Sequence, residues 1–452
     1  MSRSGVFYRS PHHAYPAAVR ASGVYITDNH GKTYLDMSGG AAVSCLGHAH
    51  PDVVAALKKQ IDELAFAHTS FFTNEPQEEL ASIIASRFRD TGARVYFVSG
   101  GSEANEAAMK IAWQYWAAQG EDNKKIIISR EHSYHGNTFG ALSISGNTSR
   151  RRASAAPLLE WPRISPCYEY RYRRSEETLA DYGRRVTDEL QAAIRKYGKS
   201  NVAAFIAEPI VGSSLGVVGP VSGYFNRIRR ICDDNEILLI ADEVMCGSGR
   251  TGSFFAHQSE NIVPDIVTLA KGISGGYIPL GAVVIAEHIA SRLSDAGFAH
   301  GHTYVGHAAA CAAGLVVQRV IERENLLSRT RRLGDTLMTL LKGSFDGQHH
   351  VGEIRGRGLF AAVEFVSDRE SKAGFEDRPA LADDLRLAAM QQGLICYPGS
   401  IMVDGRCVPH VMLAPPMIAT EEQLEEGVSK LRFAADQVFG SARRASSTMS
   451  GK

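Results

Sequence analysis

Three separated groups of residues carry the chemistry this sequence can offer. The first is Lys271. It is the only lysine between Lys199 and Lys342, it ends the apolar run DIVTLAK, and glycines follow it. Lysines mostly occupy polar surfaces, so one set at a strand end among apolar residues is costly when charged. Desolvation lowers its pKa, and a neutral amine attacks carbonyl carbon. A lysine that snorkels to the surface would read the same way in isolation. The second is Asp242, at the end of EILLIAD. A carboxylate there can hold a proton on a heterocyclic ring nitrogen, or simply cap a turn. The third is Ser99-Gly100-Gly101-Ser102, between RVYFV and the helical pattern SEANEAAMKIAWQYW. Its glycines let backbone approach closely, and free N–H groups at a helix start face a phosphate. A helix capped by Ser102 explains the serine but not the paired glycines.

These groups need elements that hold them at one edge. From about residue 77 to 310 the chain repeats short β-branched runs, turns and helical stretches: RVYFV, KKIIIS, VAAFIAEP, EILLIADEV and DIVTLA. Strands alternating with helices predict an α/β domain with a mostly parallel sheet covered on both faces. Open sheets of that kind bind ligands beyond the C-terminal ends of their strands. Before it, VYITDNHGKTYLDM predicts a hairpin, and Pro51 opens a helix. After about 320 come a charged helix (321–342), RGRGLFAAVEFV, a helix over 379–392, VMLAPP and a last helix over 420–438. The division is 1–76 as the N-terminal part of a small domain, 77–320 as the large domain, 321–440 as the rest of the small one. Residues 441–452 are expected to be a disordered tail.

Two familiar patterns fail on context. Gly247-Ser-Gly249-Arg-Thr-Gly252 follows a strand, but a dinucleotide site must then open a helix, and SFFAHQSEN is loop-like. Gly212-Ser-Ser214-Leu-Gly216 resembles a nucleophile elbow, yet VVGPVSG cannot begin the required helix. His48-x-His50 and His300-x-His302 lack a third ligand nearby, so no metal site is expected.

Composition narrows the class. Lys plus Arg and Asp plus Glu are both 49 in 452 residues, so the net charge is zero. That balance argues against a chain built to coat nucleic acid or an anionic membrane. The longest apolar runs, 278–286 and 308–317, fall short of the ~20 residues a bilayer span needs. The first residues lack the apolar core of a secretory signal, and seven scattered cysteines without C-x-x-C read as reduced thiols, so a cytoplasmic location is expected. Residues 149–185 carry nine arginines against five acids, expected as a solvated insertion.

Together, an amine, a ring-facing carboxylate and a phosphate cradle are what pyridoxal phosphate chemistry needs. The chain resembles the class III aminotransferases of the fold type I pyridoxal-phosphate enzymes. The pieces that match are LDMSGGAAVSCLGHAHP (35–51), FVSGGSEANEAAMK (97–110), YHG (134–136), AEPI (207–210), ADEVMCGSGRTG (241–252), LAKGISGGYIPLGAV (269–283) and GHTYVGHAAACAAGL (301–315), in the family's order. The resemblance implies that Lys271 forms the Schiff base with the cofactor aldehyde and then shuttles a proton. Asp242 would pair with the pyridinium nitrogen, Gly100, Gly101 and Ser102 would hold the phosphate, and Tyr134 and Val244 would lie on the two ring faces. His135 and Glu208 would lie near the cofactor. Thr303 would reach the phosphate of a partner subunit, which makes a homodimer, or a dimer of dimers, the active unit.

The implied reaction moves an amino group from an amine or ω-amino acid to pyruvate or another 2-oxo acid by a ping-pong route. Lyases, decarboxylases and racemases of the same family share the cofactor motifs. Arg406 precedes CVPHVMLAPPM (407–417), the stretch matching the family's substrate region, and an arginine fork suits a substrate carboxylate. Its register is shifted by about one residue, and an exposed loop arginine is the competing reading. Phe72, with Phe71, Tyr25 and Tyr304, could line an apolar pocket or simply pack in a core. Cys246 and Ser248 depart from the family's usual residues and leave substrate choice open.

Overall fold

The computed structural model describes residues 5–10, 13–376 and 378–449. Among the described residues, fifteen strands form three sheets. In chain order they are β1 (Ala18–Ser22), β2 (Tyr25–Asp28), β3 (Thr33–Asp36), β4 (Arg94–Val98), β5 (Ile126–Arg130), β6 (Arg163–Ile164), β7 (Val202–Ala207) and β8 (Leu238–Asp242). They continue with β9 (Ile266–Leu269), β10 (Gly281–Ile285), β11 (Val351–Gly356), β12 (Ala361–Phe365), β13 (Leu394–Ile395), β14 (Tyr397–Val403) and β15 (Arg406–Leu413).

The central sheet has seven strands in the order β4-β10-β9-β8-β7-β5-β6. Strands β5 to β9 pair in parallel, while β10 runs antiparallel to both β9 and β4. Six strands therefore point one way and β10 alone points back. Every residue of β7, β8 and β9 is buried, as both-face coverage demands of short apolar runs. The helices Gly101–Ala118, Leu179–Tyr197 and Tyr224–Asp234 contribute buried faces to the two cores beside this sheet. Helix Leu179–Tyr197 starts at a capping box: Thr178 accepts from the Asp181 amide, and Asp181 accepts from the Thr178 amide.

Segments near both ends of the described chain share strands and a core. The expected hairpin forms between β2 and β3, and β3 then pairs in parallel with β13. Strands β11, β12, β15 and β14 make a separate antiparallel sheet. Leu35 and Met37 from the N-terminal segment share one core with Leu385, Leu394, Leu413, Leu424 and Val428.

Three expectations need adjusting. The charged helix expected over 321–342 is two helices, Ala308–Arg323 and Leu326–Phe345. They break at Asn325, whose φ of +50° is the left-handed conformation that asparagine tolerates. The helix expected over 379–392 spans Leu381–Gln391. The last helix runs Glu421–Met449, past the expected start of a tail at 441. Proline is absent from that stretch, and each residue added to a helix costs little once it is nucleated. Residues 450–452 lie outside those described.

Leu35 is 1% exposed and ties the N-terminal hairpin to the C-terminal core. Leu35→Ala should lower unfolding stability by about 2–5 kcal/mol, read from denaturant melts. A change near zero would mean that the hairpin does not share that core.

Candidate active site

The shared strand direction brings the chemistry together. Asp242 is the last residue of β8, Glu208 follows β7 and Lys271 follows β9 by two positions. Tyr134 and His135 lie in the turn after β5, and Gly100 and Gly101 follow β4. Each therefore leaves the same edge of the sheet, the edge where strands of one direction present loops to a ligand.

Asp242 is the most firmly held of them. Its Oδ2 accepts from Asn105 Nδ2 at 2.8 Å and faces His135 Nδ1 at 2.8 Å. Its Oδ1 accepts from the Val244 amide at 3.0 Å. Asn105 is fixed in turn, since its Oδ1 accepts from Thr268 Oγ1 at 2.9 Å. Glu243 points away, because successive residues leaving a strand face opposite sides. It accepts from the Ala256 and His257 amides at 2.6 and 2.8 Å and shapes the next turn.

Lys271 has φ of +52°, an uncommon conformation for a residue with a side chain. Burial lowers its amine to about 8, against the pull of the Asp242 and Glu208 carboxylates. Glu208 is itself pushed upward by burial and by Asp242. It accepts from the amides of Tyr134 at 2.9 Å and Gly212 at 3.0 Å.

The helix Gly101–Ala118 begins beside these groups. Its first amides have no partner within the helix and carry its positive dipole end. Ser102 Oγ accepts from the Asn137 amide at 3.0 Å, which leaves the hydroxyl proton free to donate outward. A Cβ on Gly101 would stand 2.7 Å from Val244 Cγ1. Gly136 has φ of +142°, and a Cβ there would meet Ser102 Oγ at 2.7 Å. Glycine at both positions keeps the helix start uncovered.

A cleft of about 620 Å³, partly open to solvent, joins the set. Gly101, Ser102, Tyr134, His135, Glu208, Asp242, Val244 and Lys271 all line it. Gly100 lies next to this lining and caps the helix in an extended conformation. Three expected residues stand elsewhere. Thr303 is exposed on the loop before helix Ala308–Arg323. Phe72 is 66% exposed. Arg406 begins β15 opposite Val403 and pairs with Glu376. Two contributors had no sequence signal of their own. Asn105 lies three residues beyond the Ser99–Ser102 motif, in the helical pattern that follows it, and Thr268 looks like any strand residue.

The refused motifs are loops, as their context predicts. Gly212 of the serine motif donates its amide to Glu208. Arg250 of the glycine motif is buried and donates to Leu359 O at 3.2 Å and to Pro415 O. Among the described residues no cluster of three His, Cys, Asp or Glu side chains could hold a metal. No helix among them is long and apolar enough to cross a membrane.

The set fits pyridoxal phosphate on its own chemistry. An uncovered helix start suits a phosphate, an amine lowered to about 8 suits an aldehyde, and a carboxylate steadied by three neighbours suits a ring nitrogen. Buried His135 Nε2 has no partner among the described residues, so it too is available to a ligand. Asp242→Asn keeps the side chain's shape and removes its charge. It should lower kcat by about a hundred- to thousandfold while cofactor still binds, read as turnover against visible absorbance. Turnover within a few-fold of the parent would remove Asp242 from the chemistry.

Comparison with known proteins agrees with this geometry. The family model for aminotransferase class-III matches residues 7–434. An uncharacterized aminotransferase of Schizosaccharomyces pombe is 39% identical over 94% of both chains. The gamma aminobutyrate transaminase 2 of Solanum lycopersicum is 36% identical over 91% of this chain and 89% of its own. Among solved structures, an (S)-enantioselective omega-transaminase of Thermomicrobium roseum superposes with a TM-score of 0.90 at 34% identity, covering 96% of this chain and 97% of that one. The omega-transaminase of Pseudomonas jessenii in complex with PMP gives 0.88 at 32% identity, covering 96% of each. The chain belongs to the class-III aminotransferases, enzymes that depend on pyridoxal phosphate.

Proposed function

We propose that the cleft transfers an amino group from a primary amine or ω-amino acid to pyruvate or a similar 2-oxo acid. The observation that carries this is the meeting of Lys271, Asp242 and the Gly101–Ser102 helix start in one cleft. The tomato relative named for gamma aminobutyrate and the omega-transaminase structures support the donor class.

Bound pyridoxal phosphate supplies an aldehyde for amines and a ring that accepts an electron pair when a proton leaves carbon. The chain's residues do the rest. Gly101 and Ser102 hold the phosphate at the helix start. Tyr134 and Val244 confine the ring from either side. Asp242 holds a proton at the ring nitrogen and so stabilises charge where it develops. Lys271, as a neutral amine, would hold the cofactor through its aldehyde. When free of the cofactor, the same nitrogen would take and return the proton at the substrate carbon.

The folded-state pKa of Lys271 lies below its ordinary value, so the nucleophilic form grows as pH rises through about 8. Reconstitution of cofactor-free enzyme should accelerate across that range and level off above it, followed by visible absorbance. Lys271→Ala should bind the cofactor without that lysine-dependent band and lose alanine formation from pyruvate. A variant that keeps both would refute the assignment. Alanine formation also separates transamination from lyase, decarboxylase or racemase activity on the same cofactor.

The active unit is a homodimer in this reading. Phe71, Phe72 and Tyr304 are 80%, 66% and 60% exposed, and Thr303 precedes Tyr304 in sequence. Phe66 packs on Tyr304 and on His68, which packs on Phe71, and exposed aromatics linked in this way suit a protein interface. A partner would cover them and bring its Thr303 toward the phosphate. Light scattering should report a dimer, and Thr303→Ala should weaken cofactor retention without dissociating it. A fully active monomer would exclude the shared site. All seven cysteines are free and buried, which suits a reducing compartment such as the cytoplasm.

A further inference from the structure

The cleft is short of positive charge. Among its lining residues Lys271 is the only lysine or arginine, and the cofactor aldehyde consumes its amine. Asp242 and Glu208 add negative charge beneath. An acidic substrate therefore needs a cation from the rim. Arg406 is paired with Glu376 on the β14–β15 hairpin.

Arg150 stands where that cation is needed. It lies on the short helix Thr148–Arg152, which Asn147 caps by accepting from the Arg150 amide at 3.1 Å. Its guanidinium carbon is 4.3 Å from the centroid of the Tyr134 ring, and that ring lines the cleft. The residue is exposed. Its guanidinium has no carboxylate or carbonyl partner among the described residues. Two neighbouring arginines, Arg151 and Arg163, are spoken for. Arg151 donates to Leu142 O and Ser143 O and pairs with Glu160. Arg163 donates to Ser143 O and Ser145 O. The charge of Arg150 is also felt at Lys271, whose amine it helps to lower.

We propose that Arg150 recognises substrate carboxylate, closing on the 2-oxo acid acceptor and on amino-acid donors from its resting place on the Tyr134 ring. The proposal rests on the transaminase reading above. A guanidinium suits the task because its planar fork pairs with a carboxylate through two parallel hydrogen bonds. On the ring face it keeps a cation–π contact that is weak enough to leave. Donors without a carboxylate would make no use of it.

The test uses holoenzyme with Arg150→Gln, Arg150→Lys and, as a charge-matched control on the same helix, Arg152→Gln. The donor half-reaction is followed by visible absorbance without acceptor, for 4-aminobutyrate against butylamine. The acceptor half-reaction is followed for pyruvate against propanal. Arg150→Gln should lower kcat/KM for the charged member of each pair about tenfold or more relative to the uncharged one, mostly through KM. Arg150→Lys should restore part of that ratio, and Arg152→Gln should leave it unchanged. Equal losses on charged and uncharged substrates, or an unchanged ratio, overturn the proposal and leave Arg150 a packing residue over Tyr134. A parent enzyme without cofactor absorbance or an amine half-reaction would instead defeat the transaminase reading, and this proposal with it.

Discussion

Everything in the site depends on keeping one amine out of water beside two carboxylates. Burial drives Lys271 down to about 8, while Asp242 and Glu208 hold it from falling further. An exposed lysine would be protonated and inert at neutral pH, since its ordinary pKa is about 10.4. A lysine buried without the acids would lose its proton-shuttling range. The strained φ of +52° is consistent with this demand, because unusual backbone persists where its surroundings over-determine it.

The rigidity around that amine comes from its neighbours' secondary roles. Asn105 lies on the helix that would bind phosphate, yet its side chain joins β9 at Thr268 to β8 at Asp242. One residue thus couples the phosphate end of the cleft to its ring end. Glu208 does similar work between the turns after β5 and β7, through the amides of Tyr134 and Gly212. The β11–β12 sheet grips the same loops. Arg355 of β11 donates to Leu215 O and Gly216 O at 2.6 Å and pairs with buried Glu364. Arg250 reaches the other way, from the loop after β8 to Leu359 O. The decoy motifs therefore have a structural use, as the straps between the loops of the central sheet and the β11–β12 region.

Much of this is legible in the sequence. The apolar runs ending in Asp242 and Lys271 and the glycines before Ser102 locate the strand ends and the helix start, because each depends on local pattern. The context test that rejects the two decoy motifs also works locally, since a phosphate or nucleophile site must open a helix. Less visible were Asn105 and Thr268. Asparagine in a helix and threonine in a strand have ordinary surface explanations, and only their meeting at Asp242 gives them a role. The break at Asn325 has little local signal, because charged residues run across it from Glu322 to Arg332. The reversed direction of β10 had no signal, since GAVVI reads the same in either orientation.

The sequence by itself determined the parts: which residues could act as nucleophile, ring partner and phosphate cradle, and which elements carry them. It did so because strand ends, helix starts and burial follow from side-chain type over a few neighbouring positions. Only the tertiary structure decided which parts meet. Eight expected residues converge on one cleft because six strands share a direction. Arg406 stands apart with Glu376, and Arg150 rests on Tyr134. Distances between residues far apart in the chain are set by packing of whole elements, and spacing along the chain carries no record of them.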